Sequence, residues 1–218
     1  MKQSRIGLIK NLLGRGASLS SVATYVRLRE VLQDCNTVLD IGCGPNSPLT
    51  EFGFDRLVGI DGYPPAVAEA KRKRAYHDVI LGDIREINRY FEPRQFDACV
   101  ALDLIEHVSK KDGMELIAAM ETIACRKVIL ITPSGFLPQR HAEQADLQEH
   151  ISGWDSTEMT HYGFKVRGLL GPKPLRGEYH KLTRRPEIFW GLISLLGDLL
   201  YTQYVPSKAA AMLCYKKL

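Results

Sequence analysis

Residues 38–49 read VLDIGCGPNSPL, an apolar run that carries one carboxylate, Asp40, and breaks at once into glycines. Gly42 and Gly44 let a backbone turn tightly and approach a ligand closely. Asn46 can also take the left-handed conformation and is expected to stand in for a third glycine. Glycine turns after a strand commonly cradle phosphate, yet Asp40 at the entrance would repel a pyrophosphate. The dinucleotide fingerprint G-x-G-x-x-G also demands glycine at position 47, where this chain has Ser47 followed by Pro48. A nicotinamide-dependent dehydrogenase is therefore the weaker enzyme reading.

Outward from this stretch, short apolar runs recur at 37–41, 57–60, 78–81, 96–102 and 127–132, and 163–170 and 209–216 are two further strand candidates. Helix-like segments such as 65–75 and 111–124 separate them. Strands apolar throughout and alternating with helices predict a parallel sheet covered on both faces. The expected fold is α/β, a doubly wound, seven-stranded, mostly parallel sheet with ligands beyond the carboxyl ends of its strands. Ahead of it, Ile6, Ile9, Leu12 and Leu13 keep helical spacing until Gly14–Gly16. Ser18, Ser20 and Ser21 then offer caps for a second helix over about 20–33, with Val22, Tyr25, Leu28 and Leu32 on one face. The 218 residues suit a single domain. Its expected parts are a helical cap (1–34), a core (35–170), a basic loop with an apolar helix (171–208) and a last strand (209–218).

Two more acids share the edge that Asp40 occupies. Asp61 closes the second run (LVGID) beside Gly62, where a carboxylate can accept from ribose hydroxyls. Asp83, followed by Ile84 in VILGDI, can accept from an adenine amino group. Three strand-end carboxylates suit a cofactor that lacks phosphates and carries an amino group and a sulfonium. S-adenosylmethionine is such a molecule.

DIGCGPNS, GIDGY, LGDI and FDACVALDLIEHV, in that order, resemble the successive motifs of class I S-adenosylmethionine-dependent methyltransferases, closest to the type-11-like small-molecule group. The resemblance covers roughly 36–170 and implies an antiparallel last strand. It implies that Asp40, Gly42 and Gly44 line the methionine portion of the cofactor and that Asp61 takes the ribose. Asp83 and Ile84 would flank the adenine, and Asp103 would lie beside the methionine end. Asn46 departs from the family's usual glycine. S-adenosylhomocysteine would be the product. A non-catalytic, cofactor-binding scaffold is the alternative from a different class.

Methyl transfer needs alignment more than a nucleophilic side chain. A hydroxyl or phenol acceptor would still benefit from a base, and His107 in DLIEHV and His150 in EHISGWD are the candidates. Glu106, His107 and His150 could together hold a metal, as in some RNA-end methyltransferases. The spacing is incomplete and no metal is expected. Trp154 is either an acceptor-pocket wall or a packing residue.

Residues 186–203, PEIFWGLISLLGDLLYTQ, place Glu187, Gly191, Ser194 and Asp198 on one narrow stripe of an otherwise apolar helix. Too short to span a bilayer, it reads first as a core helix or acceptor lid. A dimer face or a peripheral membrane contact are the other readings. The basic stretch before it, KPLRGEYHKLTRRP, belongs to residues 165–185, which hold seven basic residues and one acidic. Residues 1–34 are also basic, six against two, while 35–164 carry thirteen basic and twenty acidic residues. A small acceptor, anionic or hydrophobic, is expected. Nucleic acid is not, since neither an Asn/Asp-Pro-Pro-aromatic signature nor basic–aromatic interleaving occurs. Five scattered cysteines without CxxC spacing, and an N-terminus without a signal-like apolar core, predict a cytoplasmic protein with reduced thiols.

Overall fold

The computed structural model describes residues 5–14, 18–138 and 149–218. Two helices lead, α1 (Arg5–Gly14) and α2 (Leu19–Val31). The Ser18 hydroxyl accepts from the Ser21 N–H, so serine caps the start of α2. Val22, Leu28 and Leu32 are buried as the spacing predicts, joined by Val26. In α1, among the described side chains, Leu8 is buried, Ile9 packs partly against the same core and Ile6 is exposed. Gly16 and the side chains of Leu12 and Leu13 lie outside the described residues.

There follow β1 (Thr37–Ile41), β2 (Arg56–Asp61), α3 (Pro64–Lys73), β3 (Asp78–Leu81), β4 (Phe96–Leu102), α4 (Lys110–Ile123) and β5 (Ala124–Pro133). After them come α5 (Ser156–His161), β6 (Lys165–Pro172), α6 (Glu187–Gly197) and β7 (Ala209–Lys217). The seven strands form one sheet in the order β3-β2-β1-β4-β5-β7-β6, with β7 antiparallel to both neighbours. Period-two alternation splits the core between the two faces. Leu39, Ile41, Val58, Ile60, Val128 and Leu130 pack with α4 residues Leu116, Ile117 and Met120. Val38, Leu57, Val100, Ile129 and Ile131 pack with α1 and α2.

The strand order reverses between β1 and β4, the switch point where open α/β sheets bind ligands. Ile41 pairs with Ile60 on one side and Ala101 on the other, so the ends of β1, β2 and β4 are level. That register delivers Gly42, Asp61 and Asp103 to one crevice.

The apolar helix is inverted relative to a core helix. Ser194 and Asp198, on the polar stripe, are fully buried, while Ile188, Phe189, Leu192, Leu196, Leu199 and Leu200 are exposed. The reason lies in what the stripe meets. Asp198 pairs with Arg27 of α2 at 2.8 Å, and the Ser194 hydroxyl donates to the Leu170 carbonyl at 2.9 Å and accepts from Arg176. Glycines on β6 permit the close approach: a Cβ at Gly168 would lie 1.9 Å from the Thr202 carbonyl oxygen. No helix among the described residues is long and apolar enough to cross a membrane.

Candidate active site

Gly42 and Gly44 both adopt positive φ, 67° and 52°, directly after β1. A Cβ at Gly42 would come within 2.6 Å of the Leu104 side chain, whereas the space beside Gly44 is open. Asn46 does not adopt the left-handed conformation expected of it. Its side-chain oxygen accepts instead from Lys73 of α3, which holds it at the outside of the turn.

The strand-end acids differ in their partners. Asp61 locks the turn: one carboxylate oxygen accepts from Gly44 N–H at 2.9 Å and the other from Tyr63 N–H at 2.8 Å. Asp83 caps the 3-10 turn Ile84–Arg89 and is forked by the Arg85 guanidinium, which holds its carboxyl below the usual range. Asp40 is buried under the turn, accepting from the Tyr76 hydroxyl at 2.6 Å. Burial raises its carboxyl to about 6, outweighing the Ser47 and Tyr76 hydrogen bonds. Asp103 takes a left-handed backbone, φ 49°, and opens into the crevice. The protein packed around its carboxyl raises it to about 6 as well.

Next to Asp103, the Glu106 carboxyl is pushed well up by burial and by the Asp103 charge. Thr132 donates to one of its oxygens at 2.9 Å, and the other has no partner among the described residues. The two histidines stand beside it, rings 4.7 Å apart and tilted by 71°. His107 Nδ1 lies 3.0 Å from the Glu149 carbonyl and His150 Nδ1 lies 2.7 Å from the Leu137 carbonyl. A carbonyl only accepts, so each Nδ1 carries the proton and each Nε2 is left with a free lone pair. Burial and the neighbouring His150 lower the His107 pKa, favouring that neutral form. One ligand atom from each of Glu106, His107 and His150 falls within 4.8 Å of the others, a set able to hold a metal ion.

Gly42, Gly44, Asp61, Gly62, Asp83, Ile84, Asp103, His107 and His150 all line one cavity of about 1130 Å³. A typical small-molecule site is roughly 300–1000 Å³, so there is room for a second molecule beside a nucleoside cofactor. Asp40 and Asn46 instead line a second cavity, which shares Gly42, Gly44, Asp103, Tyr179 and His180 with the first. Trp154 lines neither. It is fully buried and donates to the Ile105 carbonyl, so it is a packing residue and not a pocket wall.

Three contributors carry no pattern in the sequence. Tyr76 reaches Asp40 from beyond α3. Tyr179 and His180 both adopt φ 54° and stand where the two cavities meet. Burial and Arg176 depress the His180 imidazole to about 4. The only sequence signal for this pair was a histidine inside the basic stretch.

Residues 39–131 match a family model described as a methyltransferase domain. The matched segment takes in the glycine turn, the four strand-end aspartates, Glu106 and His107, and ends before His150. The 18S rRNA (guanine-N(7))-methyltransferase of Bos taurus is 39% identical over 72 residues, which cover 32% of this chain. The chain spans 25% of that curated relative's length. Among solved structures, the methyltransferase domain of bacterial CtHen1-C superposes with TM-score 0.56 at 15% identity, covering 88% of this chain and 95% of that one. A SAM-dependent methyltransferase from Archaeoglobus fulgidus gives TM-score 0.54 at 14% identity, covering 99% and 95%. At such identities the likeness is one of fold, the class I methyltransferase fold.

Proposed function

We propose that this protein transfers a methyl group from S-adenosylmethionine to an oxygen, nitrogen or carbon of a small or lipid-like acceptor by in-line displacement. The residues fit the cofactor: a bare glycine turn, open space at Gly44, and carboxylates in place of phosphate-binding donors. Asp61 would take the ribose, Asp83 and Ile84 the adenine, and Asp40 and Asp103 the methionine end. The sulfonium of the bound cofactor supplies an already activated methyl carbon. The protein's part is to aim the acceptor and keep water out.

The observation that carries the acceptor class is the wall of the second cavity. Leu19, Leu182, Ile188 and Leu192 give it apolar surface, while Arg176, Lys181 and Arg185 give it cations. Such a wall suits an acceptor with an apolar body and an anionic group. His107 and His150 offer Nε2 lone pairs as general bases for a hydroxyl.

Release of S-adenosylhomocysteine, measured against a panel of acids, phenols, glycosides, lipids and RNA, tests this reading. Release with an amphiphilic anion supports it. Release with RNA alone would move the acceptor class toward that named for the bovine relative. Cofactor binding without turnover on any acceptor would favour a scaffold.

A further inference from the structure

The outward face of α6 and of the π-helical turn that extends it, Asp198–Thr202, lies mostly outside the site: Ile188 and Leu192 edge the second cavity, while Phe189, Leu196, Leu199 and Leu200 line neither. At 3.6 residues per turn, its six exposed apolar residues fall within an arc of roughly 120°. Ile188 is 83% and Leu200 76% exposed, so the ends of the stripe stand clear of the surface. Between them the stripe is about 18 Å long at 1.5 Å per residue. An apolar patch of this extent on a soluble protein marks a contact surface.

We infer that this face docks on an anionic lipid bilayer, with α6 lying in the plane of the interface. The charges around it select that partner. Between 181 and 204 the only acids are Glu187 and Asp198. Glu187 is paired with Arg185 at 3.1 Å, and Asp198 is buried against Arg27. Lys181, Arg184 and Arg185 are exposed beside the N-terminal end of the stripe, and Arg184 lies over the Trp190 ring at 4.7 Å. At the other end Tyr201 and Tyr204 are exposed, ring residues that settle at headgroup level. An apolar stripe flanked by cations and interfacial aromatics is the pattern of an in-plane membrane helix. The buried polar stripe fixes this orientation, since turning α6 over would unpair Arg27. The inference stands on Phe189, Leu196, Leu199 and Leu200, which line neither cavity, and does not rest on the acceptor.

Co-sedimentation with vesicles tests it, using phosphatidylcholine alone and an equimolar mixture with phosphatidylglycerol. The protein should pellet with the mixed vesicles, bind phosphatidylcholine far less, and be released by raised salt. Leu196→Ser with Leu200→Ser, at positions that line neither cavity, should abolish pelleting while the thermal shift given by S-adenosylmethionine stays intact, showing a folded cofactor site. Arg184→Ala with Arg185→Ala should weaken pelleting, by about fivefold per cation removed. Protein left in the supernatant with both vesicle types would overturn the inference. So would a concentration-dependent dimer that the serine variant dissolves, because a second copy would then be the occupant.

Discussion

Arg27 and Asp198, 171 residues apart in the chain, close a buried ion pair at 2.8 Å that fastens α2 to the end of α6. Removing one partner strands a charge in the interior. Asp198→Ala should therefore cost about 3–5 kcal/mol in denaturant unfolding. Arg27→Met combined with Asp198→Leu should lose much less, since no charge remains to be solvated. Equal losses in the single and double variants would show that the pair is not what holds α6.

Asp40 ties stability to pH. Its folded-state value of about 6 lies above the ordinary 3.8, so the folded chain keeps a proton that the unfolded chain has already released. Its stabilising contribution is complete below about 4 and is lost as pH rises through 6. By alkaline pH the forgone stability is about 3 kcal/mol. Asp40→Asn should therefore be more stable than the parent at pH 8, and equal to it near pH 4. The same variant should lose affinity for S-adenosylmethionine more than for S-adenosylhomocysteine, because only the former carries the sulfonium charge. Calorimetry of both ligands at pH 8 checks the second part.

Asp61→Ala removes the proposed acceptor for ribose and releases the Gly44 N–H at once. Cofactor binding should weaken by about 1–3 kcal/mol, with little change in the unfolding midpoint, since the carboxylate sits at a crevice and not in the core. A folded variant with parental affinity would remove Asp61 from the cofactor site.

For a hydroxyl acceptor, the rate should rise with pH through a value below the ordinary 6.5 of histidine, because burial lowers the His107 pKa and only the neutral ring accepts a proton. His107→Gln should reduce kcat by roughly a hundred- to ten-thousand-fold and flatten that limb of the profile. Dialysis against a chelator should leave turnover unchanged if the histidines act as bases. A loss restored by a divalent cation would make Glu106, His107 and His150 ligands instead.

Much of this architecture is legible in the sequence. Runs such as 57–60 (LVGI) and 128–131 (VILI) carry no polar side chain on either face of the pleat, so burial on both faces follows from composition, and the acids at 40, 61, 83 and 103 lie at or next to the strand ends. Their individual partners could not be read. Arg85 sits two residues from Asp83, but whether a neighbouring guanidinium folds back or points to solvent depends on the local turn. Tyr76 meets Asp40 only because β1 and the end of α3 converge in space. The greatest difference concerns α6. A stripe of polar residues on an apolar helix ordinarily faces water, and only the distant Arg27 and Arg176, invisible to local pattern, draw Ser194 and Asp198 inward. Asn46 shows the converse: its intrinsic tolerance of positive φ went unused because Lys73 offered it a partner.

The place of β7 has a consequence for how the chain is born. β5 (124–133) must wait for residues 209–217 before its second edge is paired, and β6 has no other neighbour in the sheet. A ribosome adding about 5–20 residues per second leaves that edge bare for several seconds. What it bares is Val128, Ile129, Leu130 and Ile131, an unbroken β-branched and aliphatic segment that is fully or almost fully buried once folded. Such a segment is adhesive in a nascent chain. Synthesis in cells should therefore be sensitive to the supply of holdase chaperones, and slowing translation between 133 and 209 should raise the aggregated fraction without altering the finished protein.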